Sequence, residues 1–296
     1  MTRHELVEQI FKKGSYLCVG LDTDVKKIPR HLLPGADPVF QFNKQIIDAT
    51  KDLCVAYKIN TDFYEAMGVK GWESLERTVD YIPGEHFKIA DAKRGDIGNT
   101  SSQYAKAFFE SLNFDAVTVA PYMGEDSVRP FLEYNNKWAI VLGLTSNVGA
   151  KDFELQRFDT KTDLLDEGIH IEKHGTKFLY EMVVEKVSRW GTTNNLMFVV
   201  GATQGEEFAN IRQLAPEHFY LVPGVGAQGG SLKEISEKAM IEECGILVNA
   251  SRAIIYASNG ENFAEDARTA AKEYQAEMRS YLPSRGHYWK QDLGSK

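Results

Sequence analysis

Eight short apolar runs, separated by segments of helical length, constrain the fold of this chain more than any other feature of its sequence. Each run is continuously apolar, which is typical of parallel strands that are buried on both faces. The runs cover residues 17–22, 55–60, 87–93, 115–121, 138–144, 197–202, 219–225 and 245–250. The pattern therefore predicts eight strands that belong to one parallel sheet.

Amphipathic segments lie between these runs and predict helices. The clearest of them cover residues 38–51, 71–81, 100–112, 171–190, 231–243 and 261–281. Eight strands that are each followed by a helical segment indicate a (β/α)8 TIM barrel, with a doubly wound open sheet as the alternative. Because no Pro/Gly/Ser-rich linker interrupts the pattern, we predict a single catalytic domain over residues 1–281 and a polar tail over residues 282–296.

Composition excludes several classes of function. The net charge of −8 argues against general binding to nucleic acid or to an anionic membrane. No apolar run is long enough to span a bilayer, and the first residues lack the apolar stretch of a signal peptide. The cysteines Cys18, Cys54 and Cys244 lie in apolar runs outside any C-x-x-C pair. We therefore expect buried free thiols and a cytoplasmic protein.

Four charged residues lie at or near the carboxyl ends of the first three predicted strands. They are Asp22, Lys58, Asp91 and Lys93. Active sites of (β/α)8 barrels lie at this end of the barrel, and charges inside apolar strands are costly unless they are paired. The positions predict a lysine–aspartate network, which can either serve chemistry or only stabilise the rim of the barrel.

A glycine-rich loop follows the seventh predicted strand. Residues 224–229 match G-x-G-x-x-G, but the next strand ends in Asn249, whereas a dinucleotide site needs a carboxylate there. We therefore interpret the loop, with Gly226 and Gln228, as a site for a single phosphate. Arg252, after the eighth strand, can add a charge-assisted hydrogen bond to that phosphate.

Residues 90–100, which read Ala-Asp-Ala-Lys-Arg-Gly-Asp-Ile-Gly-Asn-Thr, resemble the D-x-K-x-x-D signature of orotidine 5′-phosphate decarboxylases. Lys58, the Gly-Leu-Asp ending at Asp22 and the late Pro-Gly-Val-Gly and Ser-Arg loops match that family as well. The runs 120–124 and 144–147 are similar to its longer bacterial type, type 2. The resemblance covers nearly the whole chain, from Leu17 to about Ala257.

The resemblance implies that orotidine 5′-phosphate loses CO2 and becomes UMP, with no cofactor and no metal. Lys93 is then the cation that stabilises negative charge on C6 of the pyrimidine and protonates that carbon. Flanking carboxylates favour its charged form. Asp91 is expected near the departing carboxylate, and Asp22 and Lys58 at the ribose hydroxyls, with Lys58 completing the charge network.

The resemblance also implies a homodimer in which Asp96 and Thr100 reach the active site of the partner subunit. Ser146, at the start of the long connection over residues 145–170, is expected to hydrogen-bond the pyrimidine. A connection of that length in a compact domain is often a lid.

Three alternatives stay open at this point. A related barrel enzyme decarboxylates a keto-sugar-acid phosphate with Mg²⁺, and a non-catalytic barrel would only bind a phosphate ligand. The third alternative is an aldolase that forms a Schiff base through a barrel lysine. The presence of Lys58, Asp91, Lys93 and Asp96 together favours the decarboxylase over the binding protein.

Overall fold

The computed structural model describes residues 1–166, 169–226 and 229–283, and within these ranges ten strands are found. The strands are β1 (Leu17–Gly20), β2 (Ala56–Asn60), β3 (Phe87–Arg94), β4 (Ala116–Val119), β5 (Trp138–Leu144), β6 (Arg157–Asp166), β7 (Ile169–Phe178), β8 (Leu196–Val200), β9 (Phe219–Pro223) and β10 (Ile246–Ala250). Eight of them close a parallel barrel in the order β1-β10-β9-β8-β5-β4-β3-β2. The predicted (β/α)8 barrel is thereby confirmed, and the open sheet is wrong.

Helices follow the barrel strands and cover the outside of the barrel. They are α1 (Arg3–Lys13), α2 (Pro38–Thr50), α3 (Asp62–Glu65), α4 (Val69–Tyr81), α5 (Gly98–Lys106), α6 (Glu125–Leu132), α7 (Leu179–Val187), α8 (Phe208–Leu214), α9 (Leu232–Ala239), α10 (Arg252–Ile255) and α11 (Phe263–Tyr281). A short π-helix, Ala107–Ser111, continues α5. None of the helices in the described part of the chain combines the length and the apolar character needed to cross a membrane.

The core fills the barrel and the layer between barrel and helices. Trp138 and Phe198, on neighbouring strands, are fully buried. Outside the barrel, Phe42 of α2 stacks on Phe263 of α11 with ring centroids 5.0 Å apart, so these two helices pack together. Apolar burial on both faces of the strands explains why their sequences are continuously apolar.

The connection between β5 and α7 differs from the prediction. Residues 145–170 were expected to form an open loop and residues 171–190 a helix, but β6 and β7 pair as an antiparallel hairpin and α7 begins only at Leu179. This hairpin forms a separate two-stranded sheet. Its pairing depends on hydrogen bonds between two segments, which a local periodicity of apolar residues does not report. The lid role stays a prediction.

Candidate active site

A cavity of about 310 Å³ opens at the carboxyl ends of the barrel strands. Its described lining comes from strand ends and from the loops that follow them, and includes polar and apolar groups. The lining residues are Asp22, Lys58, Asn60, Asp91, Lys93, Leu142, Thr145, Ser146, Asn147, Val199, Leu221, Pro223, Gly224, Val225, Asn249, Ser251 and Arg252. The site thus lies where (β/α)8 enzymes carry their chemistry.

The four predicted charged residues meet in this cavity as one network. The Lys58 ammonium lies 2.7 Å from Asp91 Oδ2 and 3.5 Å from Asp22 Oδ1. The Lys93 ammonium lies 2.8 Å from Asp91 Oδ1. Asp91 is therefore bound by two lysines, one on each carboxylate oxygen.

Strand register explains why these side chains converge. Asn60 of β2 pairs with Asp91 of β3, and Lys58 lies two residues before Asn60 on the same face. Lys58 is only 4% exposed. A buried ammonium needs charged partners, and the two carboxylates supply them.

The network shifts the ionisation of its buried members. Burial lowers the pKa of Lys58, but the charges of Asp22 and Asp91 outweigh burial and raise that pKa above its ordinary value. Burial likewise raises the pKa of Asp91, but Lys58 and Lys93 outweigh it and lower that pKa below its ordinary value. Both groups are therefore charged over the whole physiological pH range.

Lys93 differs from Lys58 in exposure and in backbone conformation. Its side chain is 48% exposed and faces the cavity. Its φ is +47°, in the left-handed region where a residue with a Cβ is strained by about 1–2 kcal/mol. The strain coincides with a break in register, because β3 takes four steps from Ala90 to Arg94 while β4 takes two from Val117 to Val119. A β-bulge therefore aims Lys93 at the cavity.

The structure describes part of the predicted phosphate site. Gly224 and Arg252 line the cavity, whereas Gly226 lies one residue beyond the lining. Gly226 has φ +71°, and a Cβ there would come within 2.6 Å of the Tyr274 hydroxyl oxygen, so the turn requires glycine. Gln228 lies outside the described residues.

Ser146 lines the cavity at the start of the connection after β5. Gly201 directly follows β8, and a Cβ there would lie 2.6 Å from the Ser146 amide nitrogen. The absence of a side chain at residue 201 therefore allows the end of β8 to approach Ser146 closely. Thr145, the other hydroxyl considered from sequence, is held by the connection itself. Its amide and its hydroxyl both donate to the Glu154 carboxylate, at 2.7 and 2.9 Å.

Asn249 and Ser251 are among the lining residues that were not selected as site residues from the sequence. Asn249 and Ser251 lie at and just after the end of β10, and Asn249 Oδ1 and Ser251 Oγ are buried with no hydrogen-bond partner among the described residues. Unsatisfied buried polar atoms are rare, so this side of the cavity is suited to a ligand with hydroxyl or amide groups. Their position at the end of the last barrel strand is the sequence feature from which they could have been predicted as site residues.

Asp96 and Thr100 are absent from the described lining of the cavity. Asp96 follows the end of β3, where its amide donates to Ser101 Oγ at 3.0 Å and its carbonyl accepts from the same hydroxyl at 2.8 Å. Thr100 is exposed on α5. In the described structure, neither residue therefore lines the cavity of its own chain.

A closed barrel with a buried lysine–aspartate network at its carboxyl end defines a class of (β/α)8 enzyme whose chemistry depends on fixed charges. Residues 15–267 match the model of the orotidine 5′-phosphate decarboxylase / HUMPS family. The chain therefore belongs to this family.

Several relatives match this chain over nearly its whole length and share one name. A protein from Flavobacterium johnsoniae named orotidine 5′-phosphate decarboxylase is 56% identical over 288 residues, covering 96% of this chain and 100% of its own. A protein of the same name from Bacteroides fragilis is 54% identical over 285 residues, covering 95% and 98%. Among solved structures, the OMP decarboxylase of Leishmania donovani is 34% identical with a TM-score of 0.79, covering 95% of this chain and 98% of its own.

Proposed function

We infer that this protein decarboxylates orotidine 5′-phosphate to UMP. The observation that carries the inference is the alternation of charges, Asp22–Lys58–Asp91–Lys93, at one end of the cavity, with Lys93 projecting into it. Near-full-length relatives at 54–56% identity bear the name of this enzyme and favour it over the other activities of the family.

The chemistry needs a fixed positive charge beside C6 of the pyrimidine. When CO2 departs, the electron pair of the broken bond stays on C6, and the Lys93 ammonium stabilises it without reorganisation. Lys93 then donates a proton to C6 and completes UMP. Asp91 holds Lys93 in place and lies near the departing carboxylate. The proposed role of Lys58 is to keep Asp91 ionised and, with Asp22, to bind the ribose hydroxyls.

The remaining proposed contacts orient the substrate. Arg252 and the backbone at Gly224–Gly226 are placed to bind the 5′-phosphate, and Ser146 to hydrogen-bond the pyrimidine. Remote binding of the phosphate supplies free energy that can be used at the reacting carbon. We propose that the reaction needs neither metal nor cofactor, because Lys93 supplies both the charge and the proton.

The test is the loss of pyrimidine absorbance when orotidine 5′-phosphate is added in the presence of EDTA. We expect full activity with the chelator present. Loss of activity with EDTA and recovery with Mg²⁺, on a keto-sugar-acid phosphate as substrate, would instead support the related metal-dependent decarboxylase. Trapping of the substrate by borohydride would support a Schiff-base aldolase.

We also propose a homodimer in which Asp96 and Thr100 complete the partner's site. Three apolar side chains on the loops after β3 and β4 support an interface beside Asp96. Ile97 is 63% exposed, Tyr122 is 91% exposed and Met123 is 50% exposed. Exposed apolar groups concentrated on neighbouring loops are typical of a surface that another chain covers.

Mixing of two inactive variants tests the shared site. When Lys93→Ala and Asp96→Ala chains exchange subunits, each mixed dimer has one site with both defects and one with neither. Random pairing should restore about one quarter of wild-type activity. If exchange is demonstrated and the mixture stays inactive, Asp96 acts within its own chain.

Two finer assignments complete the proposal. The hairpin of β6 and β7 supports placing the chain in the longer bacterial type of this enzyme, since it lengthens the connection after β5. The three cysteines are free and buried, which supports the expected cytoplasmic location.

A further inference from the structure

Thr118 lies on β4, next to β3, and contacts the lysine–aspartate network without lining the cavity. It is 1% exposed, and it does not belong to the described lining of the cavity. Its hydroxyl donates to Asp91 Oδ1 at 3.1 Å. The same oxygen accepts the amides of Ala92 and Lys93, each at 2.9 Å.

These three hydrogen bonds use the whole capacity of one hydroxyl, which has one donor and two acceptor sites. They also lie at the β-bulge, where β3 has four steps against two on β4. The bulge takes the Ala92 and Lys93 amides out of the regular ladder, and unpaired buried amides are costly. Thr118 therefore replaces the missing strand partner with a side chain.

The same contacts hold the strained residue. Lys93 keeps φ at +47° because its amide is tied to Thr118, while its ammonium is tied to Asp91 Oδ1. Asp91 Oδ1 is in turn tied to Thr118. The Thr118 hydroxyl thus holds both ends of Lys93. It binds the backbone amide directly, and it binds the Asp91 carboxylate that holds the ammonium.

We propose that Thr118 is a positioning residue of the reaction, which holds the β3 bulge so that Lys93 and Asp91 keep their places at the reacting carbon. This inference rests on the proposed decarboxylation. Thr118 does not touch the cavity, so its removal should affect the chemical step more than substrate binding.

The experiment compares Thr118→Val, which has the shape of threonine without its hydroxyl, with Thr118→Ser, which retains the hydroxyl. Misplacement of a catalytic group by about 1 Å can cost about 100-fold in rate. We expect Thr118→Val to lower kcat by about 100-fold with KM for orotidine 5′-phosphate changed by less than about threefold. Thr118→Ser should restore kcat to within about fivefold of wild type.

A matched control separates positioning from stability. Thr50 is buried like Thr118, and its hydroxyl makes two hydrogen bonds where that of Thr118 makes three, one to the Ile46 carbonyl on α2 and one with the Tyr57 hydroxyl on β2. Thr50→Val should lower the unfolding temperature and leave kcat unchanged. If Thr118→Val does not fold, Thr118→Ala, which introduces no bulk, takes its place in the same comparison.

The outcomes distinguish this inference from the proposed function. A wild-type chain that fails to decarboxylate orotidine 5′-phosphate refutes the function. If the wild type is active, two results refute the role of Thr118. One is a folded Val or Ala variant whose kcat stays within about threefold of wild type, and the other is a variant in which KM rises and kcat does not fall. A serine variant as impaired as the valine variant also refutes it.

Discussion

Replacement of Lys93 by alanine removes the one side chain to which both charge stabilisation and proton donation are assigned. The β3 bulge and the bond between Asp91 and Lys58 involve other atoms, so the fold should persist. We therefore expect a folded protein in which kcat is almost abolished.

The expected loss has two contributions. An ammonium about 3 Å from a developing unit charge contributes about 5–6 kcal/mol at an effective dielectric constant of about 20, or about four powers of ten in kcat. Because the Lys93 side chain is 48% exposed, water screens part of this interaction. Loss of the proton donor removes a further factor of about 10²–10⁴. We take a loss of about 10⁴-fold as the minimum.

The assay follows pyrimidine absorbance at high enzyme concentration, so that a slow residual rate is measurable. Thermal unfolding and binding of UMP are measured on the same sample to show that the fold and the phosphate site remain. Lys233→Ala is the matched control, since Lys233 is a lysine on α9 whose side chain is 66% exposed and pairs with Glu237. That variant should keep wild-type kcat.

The reasoning is refuted if Lys93→Ala keeps a tenth of wild-type kcat, because a tenfold change corresponds to only about 1.4 kcal/mol. A charge placed at the reacting atom cannot contribute so little. Another cation of the cavity would then have to supply the charge.

Three further predictions concern the same cavity. Arg252→Ala should lower kcat/KM for orotidine 5′-phosphate far more than for orotidine, and equal losses would remove Arg252 from the phosphate site. Lys93→Gly should be more stable to urea than Lys93→Ala by about 0.5–1 kcal/mol, because glycine adopts the left-handed backbone without strain, and equal midpoints would contradict that strain. Asp91→Asn should flatten the acid dependence of stability. Since the pKa of Asp91 is lowered in the fold, its contribution is complete above an unfolded-state pKa of about 4 and is lost as the pH falls below it. Urea unfolding from about pH 6 to about pH 3 should therefore show a steeper loss for wild type, and parallel curves would refute this assignment.

The barrel could be predicted from the sequence because its strands are buried on both faces and therefore apolar throughout. Residues 138–144 were predicted as a strand and form β5 with the same bounds. The charged residues within such runs were conspicuous for the same reason, since Lys58 and Asp91 lie inside segments that are otherwise largely apolar. Parallel strands bring their carboxyl ends to one rim, so the meeting of these residues followed from their positions.

Other features depended on contacts between distant segments. The hairpin of β6 and β7 stands apart from the barrel, so it lacks the continuous apolar pattern by which the barrel strands were found. Thr118 lies in an apolar run like any β-branched strand residue, and only the register break between β3 and β4 turns its hydroxyl toward the amides of Ala92 and Lys93. Residue types and their spacing thus determined which groups could carry the chemistry. The tertiary structure decided how Lys93 is held, because the hydroxyl that holds it comes from a strand 25 residues further along the chain.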